Sequence, residues 1–318
     1  MVNVRTILCP VDLSECSRHA LDHALAMARW YESAVTVLYV MAEFPPGARA
    51  APVGGFSPVS IAPARREDVL ASVRQFVDVD GAAGIRLDVL IRGGDVVPEI
   101  LAQAKAMPAD LLTIGTHGRS GFERLVLGSV TEKVLRRAEC PVLSVPPRAP
   151  DVAASTPVHY KRIVCPVDFY EPSMDALRYA TSLAQEADAH LTVMHVMEYG
   201  THEWPELYDT VMANTRVSLE DFRKECQRIS RERLELAVPE DVRRCCTVET
   251  VLAEGKPYRE ILHVAEERRS DLIVMGVRGR GALDLMIFGS TAQHVVRMAT
   301  CPVLTVRGTQ AAPGFEGR

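Results

Sequence analysis

Apolar residues along this chain switch between two rhythms. Arg5 to Cys9 is a short apolar run, and from Ser14 the spacing becomes helical, with Ala20, Leu21, Ala24, Leu25 and Ala28 on one face. Ala34 to Val40 is apolar apart from Thr36 and Tyr39, as a parallel strand covered on both faces requires, and Ile85 to Ile91 and Leu111 to Gly115 read the same way. Helical segments near Arg66 to Val79 and Val97 to Ala106 separate these strands. A further helix follows Gly128, with Val130, Val134 and Leu135 apolar, and Val142 to Val145 closes the series as a last strand. Strands alternating with helices predict an α/β fold with a parallel sheet and right-handed crossovers.

The second half repeats the order. Arg162 to Cys165, Leu191 to Val196, Val248 to Leu252, Leu272 to Gly276 and Val303 to Val306 read as strands. Between them fall helices from Pro172, within Tyr208 to Leu236, from Pro257 and after Gly289; proline suits a first helical turn. Cys9-Pro10-Val11-Asp12 returns as Cys165-Pro166-Val167-Asp168. Gly115-Thr116-His117-Gly118, followed after nine residues by Gly128-Ser129, returns as Gly276-Val277-Arg278-Gly279 followed after nine by Gly289-Ser290. The offset is 156 at the aspartates (168 minus 12) and 161 at the glycines (276 minus 115), so the second copy carries five extra residues net in its middle. That middle holds the Pro/Gly/Ala-rich stretch Phe44 to Pro63, read as a loop, in the first copy, and Trp204 and Tyr208 in the second. The expected organisation is a first domain over 1–147, a linker over 148–159, a second domain over 160–308 and a tail over 309–318.

Composition adds exclusions. With 36 Lys and Arg against 41 Asp and Glu the chain advertises no basic surface for nucleic acid, and its densest basic groups are interleaved with acids. No apolar run approaches a membrane span and the first residues do not resemble a signal peptide, so a cytoplasmic protein is expected. Eight cysteines are too irregular for a disulfide framework. Cys9, Cys165, Cys140 and Cys301 precede proline at equivalent places and read as small buried hydrophobes, and no metal site held by protein side chains alone is expected.

Ligands of open α/β sheets bind outside the carboxyl ends of the strands, where the strand order switches. Three repeated places fall there: Asp12 and Asp168 after the first strand, Gly115 and Gly276 ending the fourth, and Gly128-Ser129 and Gly289-Ser290 opening the next helix. The fit is to a nucleotide. Glycines let backbone approach phosphate, a helix start with a serine hydroxyl supplies donors, and an aspartate accepts hydrogen bonds from a base or ribose. Arg119 and Arg280 add positive charge. No Gly-Lys-Ser/Thr follows the glycines, which excludes a Walker A loop, and they follow the fourth strand instead of the first, which excludes the Rossmann pattern. An aspartate can also simply cap a helix, although Ser14 and Glu171 are available for that. Tight turns would explain any one glycine but not the identical spacing with serine in both copies. His117 has Arg278 as its counterpart and reads as a surface loop residue, not a general base.

In these residues the chain resembles the universal stress protein family, over nearly everything except the linker and tail. Gly-x2-Gly-x9-Gly-Ser is the ATP-binding signature of that family's nucleotide-binding branch. The resemblance implies two tandem open parallel five-stranded sheets of order 3-2-1-4-5 with helices on both faces, of the adenine nucleotide alpha hydrolase kind, serving stress adaptation. Carried to matching positions, it implies a first ATP site of Pro10, Val11, Asp12, Val40, Ile114, Gly115, Gly118, Arg119, Gly128, Ser129, Val130 and Thr131. The second would comprise Pro166, Val167, Asp168, Val196, Met275, Gly276, Gly279, Arg280, Gly289, Ser290 and Thr291. Because Thr291-Ala292 replaces Val130-Thr131, the second site is expected to bind more weakly. The expected ligand is ATP, ADP or AMP, with Mg2+ an optional companion. The terminal strands Val142 to Val145 and Val303 to Val306 would be sheet edges, so an intramolecular pseudo-dimer of the two domains is expected, and a homodimer of whole chains besides. Protein partners are not legible.

No residue reads as a convincing general base, so a sensor or regulator with at most slow ATP hydrolysis is the leading reading. An ATP-using enzyme of the related folds is the alternative; Val11-Asp12-Leu13-Ser14 lacks their Ser-Gly-Gly phosphate loop, and no His-Ile-Gly-His string is present. A partner-binding module with vestigial sites is the second alternative.

Overall fold

The computed structural model describes residues 2–41, 63–77, 82–117, 127–147, 149, 152, 158, 160–198, 218–277 and 288–307. They divide into two compact units, residues 3–158 and residues 159–318 with the first two residues of the chain.

In the first unit the elements run β1 (Thr6–Val11), α1 (Glu15–Tyr31), β2 (Ala34–Met41), α2 (Pro63–Val77), β3 (Leu87–Gly93), α3 (Val96–Ala106), β4 (Leu111–Gly115), α4 (Ser129–Arg137) and β5 (Val142–Val145). The sheet order is β3-β2-β1-β4-β5 and every pairing among these five strands is parallel. β1 is buried at Ile7, Leu8 and Cys9, and α1 lays Ala20, Leu21, Ala24 and Leu25 on it, all at 0% exposure; this is the face the helical spacing marked. Ser14 is the N-cap of α1 and accepts from the N–H of Ser17. Glu32 stops the helix in the left-handed conformation at φ 54°, its N–H bonding the carbonyl of Ala28.

The second unit repeats this with β6 (Arg162–Pro166), α5 (Glu171–Ala187), β7 (His190–Met197), α6 (Leu219–Ala237), α7 (Glu240–Cys245), β8 (Thr247–Glu254), α8 (Pro257–Glu267), β9 (Leu272–Gly276), α9 (Ser290–Met298) and β10 (Val303–Val306). Its order is β8-β7-β6-β9-β10, again parallel. Both orders are the expected 3-2-1-4-5. Asp188 stops α5 at φ 48° as Glu32 stops α1. The short α7, which buries only Val242, is an element the sequence did not announce.

One shared device fastens the first strand to the fourth. The Asp110 carboxylate accepts the N–H groups of Arg5 and Thr6 at 2.8 and 2.9 Å, and Asp271 accepts those of Lys161 and Arg162 at 2.9 Å each. Burial raises the pKa of Asp271, and the two backbone bonds oppose the rise. Cys9, Cys165 and Cys301 are buried while Cys140 is only half-buried. Burial raises all three buried thiols, Cys9 and Cys301 to about 12.

Candidate functional site

The strand ends where the order switches are built alike in the two units. β1 ends at Val11 and β4 at Gly115, with β2 and β4 on opposite sides of β1. The chain leaves β1 through Asp12 and then Leu13, a left-handed residue at φ 65°; Phe169, after Asp168, has the same φ of 65°. Neither is a glycine, so nothing in the residue type announced the turn. The aspartate explains it. Asp12 Oδ1 accepts from the N–H of Ser14 at 3.1 Å and from its hydroxyl at 2.5 Å, and Asp168 Oδ1 accepts from the N–H of Tyr170 at 3.1 Å. This is an Asx turn, in which the side chain stands in for a backbone acceptor two residues back. On the other side, Ser17 and Ser173 present their hydroxyls to the N–H groups of Asp12 and Asp168 at 3.4 and 3.2 Å. The recurrence of serine at an offset of 156 was the available signal for that support. Ser14 caps α1; the N-cap of α5 is Tyr170, without a side-chain cap bond, so Glu171 does not cap.

The glycines ending β4 and β9 are there because nothing larger fits. A Cβ on Gly115 would lie 2.8 Å from Cys16 Sγ and 2.9 Å from the Cys16 carbonyl oxygen, and one on Gly276 would lie 2.7 Å from the carbonyl oxygen of Pro172. The first turn of α1 or α5 therefore rests directly on the end of the fourth strand. Beyond it, the N–H of Gly128 bonds the carbonyl of Thr116 at 2.8 Å, and the N–H of Gly289 bonds that of Val277 at 2.9 Å. These bonds bring the starts of α4 and α9 back beside the strand ends. Gly128 and Gly289 are the N-caps, with no side-chain cap bond, and Ser129 and Ser290 are exposed first residues. A helix start of this kind presents backbone N–H donors and the positive end of the dipole.

The remaining residues named from sequence fall into place unevenly. Val11, Ile114, Val167, Val196 and Met275 are buried, Pro10 lies on β1 and Pro166 on β6, Val40 lies on β2, and Val130 and Thr291 are half-buried in the first turns of α4 and α9. Gly118, Arg119, Gly279 and Arg280 lie outside the described residues, as do most of the linker, the stretch Phe44 to Ala62, Trp204, Tyr208 and the tail. Thr131, carried over as a residue around ribose and phosphates, is 3% exposed and donates its hydroxyl to the Gly115 carbonyl at 2.7 Å. Ala292 cannot do this in the second unit.

Sequence reasoning missed two further features. In the first unit Cys16, in the first turn of α1, packs on Gly115 near Asp12 and the backbone of Thr116 and His117. Burial raises its thiol pKa, the backbone of His117 and Thr116 pulls it down, and the Asp12 charge adds to the rise. The His117 ring lies 2.9 Å from the Thr116 hydroxyl through Nδ1, its Nε2 is buried, and burial lowers its pKa. In the second unit His195 donates from Nδ1 to the Val167 carbonyl at 2.8 Å, Phe169 packs on the His195 ring at 4.6 Å, and the Arg233 guanidinium lies 4.4 Å over Phe169. Among the described residues no three His, Cys, Asp or Glu side chains are placed to hold a metal, and no helix is long and apolar enough to cross a membrane.

Comparison with known proteins points one way. A universal stress protein of Methanocaldococcus jannaschii is 31% identical over 148 residues, 46% of this chain and 82% of the relative. The universal stress protein YxiE of Bacillus subtilis is 32% identical over 148 residues, 46% of this chain and 99% of the relative. The crystal structure of a universal stress protein from Archaeoglobus fulgidus superposes with a TM-score of 0.63 at 25% identity, covering 96% of this chain and 97% of that one. The sequence profile of the universal stress protein family matches twice, over residues 3–146 and 159–307. The chain therefore belongs to the universal stress protein family, with one copy of the family's domain in each half.

Proposed function

We propose that this protein binds an adenine nucleotide at the carboxyl ends of β1 and β4 and, more weakly, at those of β6 and β9, and that nucleotide occupancy adjusts its binding to partners during stress. One observation carries the proposal. In both units a glycine-capped helix start with no side-chain cap is drawn back against a strand end, opposite an aspartate-fixed turn. Phosphates suit the helix start and its serine, and a base or ribose suits the buried end of β1 and the half-buried end of β2 beside it. A carboxylate such as that of Asp12 or Asp168 accepts hydrogen bonds of the kind a ribose hydroxyl donates. A Mg2+ that accompanied the phosphates would draw ligands chiefly from phosphate oxygens and water. The ranking of the sites rests on Thr131, which fixes the Gly115 carbonyl in the first unit and has no equivalent in the second.

Turnover is slow in this reading, because among the described residues His117 is the one imidazole beside the first strand end and its Nδ1 is engaged with Thr116. The experiment is mass spectrometry of nucleotide released from the purified chain, followed by a phosphate-release time course with added ATP. Bound adenine nucleotide with little turnover supports the proposal. Rapid multiple turnover would make the protein an ATP-using enzyme, and no affinity for nucleotide would leave a partner-binding module.

A further inference from the structure

The two units cover the carboxyl end of their second strand differently. In the first, Tyr39, Val40 and Met41 at the end of β2 are half-buried. In the second, the matching residues His195, Val196 and Met197 of β7 are only 2%, 7% and 1% exposed. An aromatic stack stands at that end. His195 donates from Nδ1 to the Val167 carbonyl at 2.8 Å, which fixes its ring against the end of β6. Phe169 leaves the turn after Asp168 in the left-handed conformation and sets its ring 4.6 Å from that of His195, centroid to centroid. Arg233, an exposed residue of α6, places its guanidinium 4.4 Å over the Phe169 ring.

The stack belongs to this unit's sequence and not to the shared fold. Leu13 and Tyr39 hold the positions of Phe169 and His195 in the first unit (169 minus 13 and 195 minus 39, both 156), and Leu13 turns through the same φ of 65°. An aliphatic side chain at that turn makes neither a ring stack nor a cation–π contact. Phe169 therefore stands where the nucleotide reading puts the base, over the ends of β6 and β7, whereas the start of α9 is held by a different contact, the bond from Gly289 to Val277. Resting on that reading, we infer that Phe169 and Arg233 determine the specificity of the second site: it holds its ligand through the phosphates, and the base adds little affinity until the Phe169 ring swings out. A base that enters must first separate that ring from His195 and Arg233, which offsets the stacking it gains. The first site, with Leu13 and a half-buried β2 end, draws affinity from phosphates and base together. This is a second cause of unequal sites beside Thr131.

The test is a calorimetric titration of ATP and of inorganic tripolyphosphate into full chains. Ser290→Glu leaves the first site to report, and Ser129→Glu leaves the second. The first site should prefer ATP by about tenfold or more, and the second should take the two ligands with affinities within about threefold of each other. Adding Phe169→Leu to the Ser129→Glu chain should strengthen ATP binding about tenfold and leave tripolyphosphate binding unchanged. Arg233→Gln should shift ATP in the same direction; it decides if Phe169→Leu fails to fold, an unchanged affinity there overturning the inference. A preference for ATP at the second site as large as at the first, or no uptake of tripolyphosphate there, would also overturn it. So would an ATP affinity that Phe169→Leu leaves equal or lowers, a lowered one making Phe169 a stacking partner of the base. If no chain takes up ATP, the nucleotide reading fails and the inference falls with it.

Discussion

At Gly115 and Gly276 a single hydrogen in place of a side chain lets a helix rest on a strand end. Adding a methyl group overpacks a contact that has little room to relax, because backbone atoms of Cys16 or Pro172 and Ser173 stand in the way. Gly115→Ala and Gly276→Ala should each cost about 1–3 kcal/mol in equilibrium denaturation, with Gly276 the more sensitive because all three of its nearest atoms are backbone. A stability equal to wild type in both would show that the helix does not sit where it is placed here. His117 makes a second prediction at this scale. Burial lowers its pKa below 6.5 in the folded chain, so the unfolded chain binds more protons in the window from about 6.5 down through the folded value. Stability associated with the neutral ring is complete above that window and is lost as pH falls through it. His117→Gln should therefore flatten the decline of the unfolding midpoint between pH 7 and pH 5, whereas an unchanged slope would remove His117 as its source. Sequence alone showed the glycines, because they recur at one offset. It did not show Leu13 and Phe169 as left-handed, because the cause is the aspartate two positions before the helix cap and not their own side chains.

Elements were legible where apolar spacing was strong. α1 and α5 begin within a residue of Ser14 and Pro172, and each of the ten strands among the described residues overlaps its predicted run. The short α7 escaped because a six-residue helix with one buried position carries no period to detect. Asp110 and Asp271 stand at the same offset of 161 as the glycines (271 minus 110), but their work is between elements: each carboxylate holds two N–H groups at the start of the first strand and so sets how β1 meets β4, or β6 meets β9. Asp271→Ala should destabilise the chain by about 2 kcal/mol, since two charge-assisted bonds are lost and the N–H groups of Lys161 and Arg162 need new acceptors. Asp271→Asn should recover part of that, because an amide oxygen still accepts. Equal losses in the two variants would mean that the side chain serves packing and not the strand start.

At the scale of the whole molecule the duplication makes the two halves controls for each other. The shared strand order and the helix that opens at a glycine were readable because each mark appears twice; the divergent middle was not, because only one copy exists of each version. The halves also differ at the strand ends. The first carries Cys16, His117 and the Thr131 bond to the Gly115 carbonyl, and the second carries Pro172, Ala292 and the stack of Arg233, Phe169 and His195. Unequal affinities should follow. The most direct measurement is a calorimetric titration of ATP into the wild-type chain, Ser129→Glu and Ser290→Glu. The account predicts two events of different affinity, the tighter abolished by Ser129→Glu and the weaker by Ser290→Glu. Absence of ATP binding, or binding that survives both substitutions in one chain, would contradict it.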